Sequence, residues 1–384
     1  MNKNWIIGLT VALVSVVVVF FTLKVGLKFY NEEKEKKALE NAVILVELKE
    51  DLTASFDSDV KISDFITNIN GEIIEDKKVD TTLLGKKELF FEYRNDDGIK
   101  IPYRFTIEVK DITAPLVWLG DSYTVDTNIK NTLEERIMCV DDHDDEPICK
   151  VVGEYDLKKV GSYSLQFVAE DTSGNKTVKP FTLRVTKPSS SNSTYNPIKY
   201  PFSEAVSKYK SFTASVGIDV SSWQGDIDFD KVKNVGVEFA FVRVGSKWGM
   251  DGEYFLDSKF EQNMEGFNRV GIPVGAYFYS YARDEEEARE EAEYVIDKLK
   301  KYKVDLPVAF DFEDWSKLNN YKMSLYRLNR NAEVFMETLE KAGYEGMLYG
   351  SLNYLNKLWK TDGKTIWVAH YTNNADYEGK YKLW

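Results

Sequence analysis

The chain has 384 residues, 43% hydrophobic and 29% charged, with a formal net charge of −13. These are globular values, and the length predicts several domains rather than one core. The acidic balance argues against a nucleic-acid partner, which needs a basic stripe. The two histidines, His143 and His370, exclude a zinc site built on several imidazoles and leave a Ser-His-Asp triad without an evident frame. Carboxylates are left as the acid–base groups.

Residues 5–23 (WIIGLTVALVSVVVVFFTL) carry no charge, which matches the ~20 residues a helix needs to cross a bilayer. The stretch is longer than the usual core of a cleaved signal, and no small-residue cleavage site follows. Residues 1–30 are therefore expected to be a transmembrane anchor, with 31–40 (NEEKEKKALE) a charged juxtamembrane segment. Lys24, Lys28, Lys34, Lys36 and Lys37 follow the span and only Lys3 precedes it. Taken alone, that bias would leave the bulk of the chain in the cytoplasm.

Two segments, 41–111 and 112–187, repeat one another. LGKKELFFEYRNDDGIKIPYRFTIEV, from Leu84, aligns without a gap on VGSYSLQFVAEDTSGNKTVKPFTLRV, from Val160. Gly85 meets Gly161, Phe91 meets Phe167, Gly98 meets Gly174 and Val109 meets Val185, a register that marks an internal repeat. Leu165, Phe167 and Ala169 alternate with polar neighbours, a turn follows at Asp171–Asn175, and Phe181, Leu183 and Val185 alternate again. Each copy is read as a small β-sandwich. The second, with DITAP at its start and AEDTSGN near its end, resembles bacterial immunoglobulin-like surface modules.

Cys139 and Cys149 are the only cysteines and lie close together in the second copy. In an exported chain such a pair reads as a disulfide, with two free thiols as the alternative. Between them runs Asp141-Asp142-His143-Asp144-Asp145-Glu146. A calcium site and a solvated loop are both open readings, although the glycine spacing of an EF-hand loop is absent.

Residues 188–212, rich in Ser, Asn and Pro, are a linker. In 213–384 apolar runs alternate with amphipathic patterns. Strands are expected at Val216–Val220, Phe239–Val244, Pro273–Ser280, Pro307–Glu313, Gly346–Tyr349 and Ile366–Tyr371. Helices fit between them, including Arg283–Lys303, whose charge run reads as a solvated face. This order predicts a TIM-like α/β barrel with functional groups at strand ends. Asp219 ends one strand; Asp311 and Glu313 end another and share a face. Crowded carboxylates raise at least one pKa, and a protonated acid beside a second carboxylate is what glycoside hydrolysis requires.

From Val216 onward the sequence resembles glycoside hydrolase family 25, the muramidases of bacteria and phages. GIDVSSWQGDIDF fits the family's opening pattern, and Asp257, Phe260 and Asn263 fall where its next motif has them. PVAFDFED fits the catalytic D-x-E, and IWVAHY fits the W-x-A-x-Y strand. The resemblance implies Glu313 as general acid, Asp311 as assistant at the anomeric centre and Asp219 as support. It leaves open whether an enzyme nucleophile or the substrate's own 2-acetamido group attacks. Tyr277, Tyr279, Trp367 and Tyr371 would line a sugar groove; Arg243 stands where many relatives carry lysine. No metal or other cofactor is implied. Relatives continue with a further strand beyond KLW, so the domain is expected to be C-terminally incomplete.

The implied function is cleavage of the β-1,4 bond between N-acetylmuramic acid and N-acetylglucosamine in peptidoglycan. The implied location is outside the cell, tethered by a single pass to the membrane of a bacterium of the Gram-positive type. A catalytically impaired wall-binding protein and a surface adhesin are the alternatives.

Overall fold

The computed structural model describes residues 28, 30, 33–188 and 200–384. No helix among them is long and apolar enough to cross a membrane. This corrects the expected architecture with its N-terminal transmembrane helix and single-pass membrane localisation. The stretch 5–23 on which that expectation rested lies outside the described residues.

The chain divides into two units, Met1–Ile112 and Thr113–Trp384. Among its described residues the first includes a helix over 33–40 (α1). It continues with β1 (Val46–Leu48), β2 (Thr53–Ser55), β3 (Ile66–Ile69), β4 (Gly71–Ile73), β5 (Gly85–Asn95) and β6 (Lys100–Lys110). β5 and β6 form an antiparallel hairpin in which Leu89 pairs with Phe105 and Tyr93 with Ile101. Period-2 alternation puts Leu89, Phe91, Tyr93, Ile101 and Ile107 into one core. The four-stranded order is β2-β6-β5-β4, with β1 and β3 as a separate pair.

The second unit opens with the same plan. Its elements are β7 (Leu116–Trp118), β8 (Ser122–Asp126), α2 (Leu133–Arg136), β9 (Met138–Val140), β10 (Ile148–Val152), β11 (Gly161–Glu170) and β12 (Lys176–Thr186). The order β10-β11-β12-β8 mirrors that of the first copy, and β7 pairs with β9. β8 joins β12 in parallel, as β2 joins β6. Neither copy is the immunoglobulin-like sandwich expected from the sequence. Each has one mixed four-stranded sheet and a two-stranded ribbon, because the segments meant for a second sheet yield only strands of three or four residues. Cys139 and Cys149 are joined in a disulfide that ties β9 to β10.

The remainder contains α3 (Phe202–Tyr209), β13 (Ile218–Val220), α4 (Phe229–Asn234), β14 (Ala240–Lys247), β15 (Tyr254–Leu256), α5 (Phe260–Val270) and β16 (Val274–Tyr279). It continues with α6 (Glu285–Leu299), β17 (Val308–Asp311), α7 (Leu325–Lys341), β18 (Gly346–Ser351), α8 (Leu352–Lys357) and β19 (Ile366–Ala369). Local chemistry sets the helix ends. Asp284 accepts from Glu287 N at 2.9 Å to cap α6, and Gly271, at φ 67°, closes α5 in the left-handed conformation.

Six parallel strands run β13-β14-β16-β17-β18-β19, with β15 antiparallel on β14. The sheet is open among the described residues, with β13 and β19 unpaired to one another, which corrects the expected closed TIM-like barrel. Alternation of strand and helix dictates parallel pairing and the hand of each crossover, but not closure. Even-numbered strand residues, among them Val242, Val274, Phe278, Val308, Phe310 and Leu348, pack under α5, α6 and α7. Odd-numbered residues form the opposite face, where Phe241, Ala309 and Met347 make a floor with Tyr277, Tyr349 and Trp367 against it.

That floor leaves no room at Gly275, where a Cβ would lie 2.5 Å from the Phe241 ring and 2.7 Å from the Pro307 carbonyl oxygen. Gly275→Ala is expected to cost about 1–3 kcal/mol by overpacking. Urea unfolding should show a lower midpoint at unchanged slope; an unmoved midpoint would mean the floor is not close-packed.

Candidate active site

The odd-numbered face gathers the polar residues. Strand pairing sets Asp219 beside Phe241, Arg243 beside Tyr277, and Asp311 between Tyr279 on one side and Tyr349 on the other. Tyr349 in turn pairs with Trp367. Asp311 is the last residue of β17, and Glu313 follows two residues later, about 6.6 Å along the chain on the same face.

Asp311 is 5% exposed and its Oδ1 meets no hydrogen-bond donor among the described residues. Burial raises its pKa well above the ordinary carboxylate range, and the charges of Glu313 and Asp219 raise it further, against a partial pull from Arg243. Glu313 is open to solvent on this face. Protein still crowds its carboxyl, so desolvation raises its pKa and Asp219 adds to the rise, while a hydrogen bond from Tyr349 opposes it. Asp219 is similarly accessible along one side yet raised by desolvation. The three carboxyls therefore share one face, and each holds its proton to a higher pH than an isolated acid.

The aromatic residues divide. Trp367 lies 5.1 Å from Tyr349 and 4.8 Å from Phe241 between ring centroids, wedged into the floor. The phenol of Tyr277 hydrogen-bonds Ser221, and burial with the nearby Asp219 charge raises its pKa. Tyr279 sits 5.2 Å from Tyr281 and feels Asp311 and Glu313. Tyr371 lies beyond β19, 93% exposed, and reaches the cluster through a hydrogen bond with Tyr349. Arg243 is committed elsewhere: Nε and Nη2 contact Asp257 Oδ2 at 2.7 and 2.6 Å, and Nη2 donates to Ser222 Oγ at 3.0 Å. Burial would raise the Asp257 pKa, but hydrogen bonds from Ser222, Lys259 and Arg243 bring it below the usual range. Arg243 thus orients the loop after β13 and lends positive potential to Asp311. The Cys139–Cys149 bridge belongs to the second repeat.

Two participants escape a reading of the sequence. Tyr349 ends a short apolar strand, and only its register against Asp311 marks it. Glu291 lies within a helix whose charges read as a solvated face, yet it is fully buried. The spacing Ala288, Glu291, Ala292, Val295 was the available signal. Its carboxylate accepts from Ser280 Oγ at 2.5 Å and Tyr281 N at 3.0 Å. Ser280 N donates to the Asp311 carbonyl at 2.7 Å, so Glu291 braces the turn that follows Tyr279.

Residues 218–384 match the family model for glycosyl hydrolases family 25. Over this segment the chain resembles the family 25 glycosyl hydrolases. The chain is 26% identical over 157 residues to the autolytic lysozyme of Clostridium acetobutylicum, covering 40% of this chain and 44% of that protein. It is 28% identical over 200 residues to the uncharacterized protein YegX of Escherichia coli, covering 50% of this chain and 68% of that one. A solved family 25 glycosyl hydrolase from Bacillus anthracis is 27% identical, covering 44% of this chain and 77% of that one, at a TM-score of 0.37. The chain thus spans less than half the length of the autolytic lysozyme.

In the segment matched to that family, burial pushes the Glu291 carboxyl up to about 8, against the hydrogen bonds from Ser280 and Tyr281 and the charge of Lys247. The folded state holds this proton more tightly than the unfolded chain does. Its contribution to stability is complete below the ordinary glutamate range and is lost as pH rises through about 8. Glu291→Gln should therefore flatten the fall in Tm across that window. A variant whose Tm falls with pH as steeply as the parent's would assign the loss to another group.

Proposed function

We propose that the family 25 domain hydrolyses the β-1,4 bond between N-acetylmuramic acid and N-acetylglucosamine in peptidoglycan. The observation that carries this reading is the sharing of one sheet face by Asp219, Asp311 and Glu313, all with raised pKa values. The likeness to an autolytic lysozyme supports the choice of substrate.

Glu313 is the general acid. Its raised pKa keeps a proton available, and its exposure lets that proton reach the glycosidic oxygen. As the C1–O bond breaks, the proton passes to the leaving sugar and positive charge grows at C1. Asp311, with an unpaired Oδ1 beneath, either orients the 2-acetamido group for attack or stabilises that charge directly. Asp219 adds negative potential from the neighbouring side. Water then delivers hydroxide to C1 and returns its proton to Glu313. Tyr277, Tyr279, Trp367 and Tyr371 give sugar rings apolar faces with polar tips. Trp223 and Trp248, 85% and 73% exposed just past β13 and β14, offer further faces along the same strand ends. Arg243 acts through Asp257 and Ser222, holding the β13 loop.

The test is a digest of purified peptidoglycan by the full chain and by Glu313→Gln, read by mass spectrometry. The parent should release fragments with N-acetylmuramic acid reducing ends, and the variant should be slower by about 10²–10⁴-fold. Wall binding without cleavage by the parent would overturn the reading in favour of a binding module.

A further inference from the structure

The catalytic segment has an unusual support. After Asp311 the chain leaves the sheet, passes Glu313, makes a 3-10 turn at Trp315–Tyr321 and enters α7 at Leu325. No strand pairs with this stretch among the described residues. Much of what holds it comes from the second repeat, within the same compact unit.

Asn319 is the centre of the attachment. Its Oδ1 accepts from Cys139 N at 3.1 Å, and its Nδ2 donates to the carbonyls of Glu134 and Ile137 at 3.0 Å each. One acceptor and two donors meet one N–H and two carbonyls, so this environment selects an amide over a carboxylate or a hydroxyl. The acidic loop closed by the Cys139–Cys149 bridge grips the start of α7. Asp145 accepts from Ser324 N at 2.9 Å and Arg327 Nη1 at 2.6 Å. The carbonyls of Asp141 and Asp142 take the otherwise orphaned N–H groups of Leu325 and Tyr326 at 2.7 and 3.2 Å. An anionic side chain at a helix N-terminus is also favoured by the helix dipole. The loop is itself braced, since Asp141 Oδ1 accepts from His143 N and Asp144 N, and Asp144 accepts from Thr172.

Packing continues toward the site. Trp118 of β7 lies 5.1 Å from Tyr354, which stacks on Trp315 at 4.3 Å; Trp315 meets Phe312 edge-on at 5.0 Å. Phe312 is fully buried between Asp311 and Glu313 in sequence. Met138 and Val140 of β9 enter the same core as β17 and α7. A spacer joined by a loose linker would need none of this.

We infer that the second repeat is a working part of the catalytic unit, its disulfide-closed loop positioning Glu313 through Asn319, Asp145 and the Trp118–Tyr354–Trp315 stack. The inference rests on the role proposed above for Glu313, and Asn319 and Asp145 are positioning residues that touch no substrate.

The test uses the full chain with Asn319→Ala, Asp145→Ala and the more conservative Asp145→Asn, each checked for folding by circular dichroism. Peptidoglycan turnover should lose roughly 10–100-fold in kcat for the two alanine variants, with KM nearly unchanged, because misplacement of a catalytic acid affects the transition state. Asp145→Asn, which keeps an acceptor, should recover part of that loss. Hydrogen exchange at 313–318 should quicken in both alanine variants. Folded variants with parental kcat and parental exchange at 313–318 would overturn the inference and leave the repeat a passive spacer. If the parent itself cleaves no peptidoglycan, the proposed function fails, and the exchange measurement still decides whether the repeat holds this segment.

Discussion

Burying the Asp311 carboxyl at the end of a central strand, with Glu313 two residues away, is the constraint that the rest of the domain answers. A carboxylate removed from water without a donor is costly, and a second acid on the same face makes ionising both costlier still. The sheet tolerates this because its two faces have separate duties. Even positions pack under the helices as a closed apolar core, so the strands cannot shift to relieve the crowding. Odd positions then hold Asp219, Asp311 and Glu313 over an aromatic floor, where each carboxyl keeps its proton to a higher pH than an isolated acid.

Holding such a site still requires support on each side of β17. Glu291 braces the turn after β16, Arg243 and Asp257 fix the loop after β13, and the second repeat clamps the segment after Glu313. These supports are polar networks at the ends of apolar strands. A buried network whose members are all satisfied specifies one geometry, whereas a partly satisfied one would loosen it. Asn319 illustrates the first case, with its acceptor and both donors matched to backbone groups.

Much of the catalytic half was legible in the sequence. The apolar runs lie at or near β13, β14, β16, β17, β18 and β19, and parity placed Asp311 and Glu313 on a common face. What parity cannot supply is pairing. It marked buried positions in the repeats correctly along β11 and β12, but the sandwich read from them dissolved into one sheet and a short ribbon. Barrel closure failed for the same reason, since it depends on which edges meet. Charge was misread where tertiary structure buried it. Glu291 went unmarked in a helix whose charge run read as a solvated face, and the Asp141–Glu146 loop, left open between a calcium site and a solvated loop, spends the Asp145 carboxylate and the Asp141 and Asp142 carbonyls on the start of α7. No local pattern announces a contact between residues so far apart in the chain.

The most direct measurement is a carbon-13 titration of the side-chain carboxyls, with Asp219, Asp311 and Glu313 assigned through Asp219→Asn, Asp311→Asn and Glu313→Gln. Glu313 should titrate above the ordinary glutamate range and Asp311 well above the aspartate range, and Asp311→Asn should leave the Asp219 and Glu313 resonances in place while removing its own. Ordinary values at Asp311 and Glu313 in the folded protein would contradict the account, since no proton would then be held for the glycosidic oxygen.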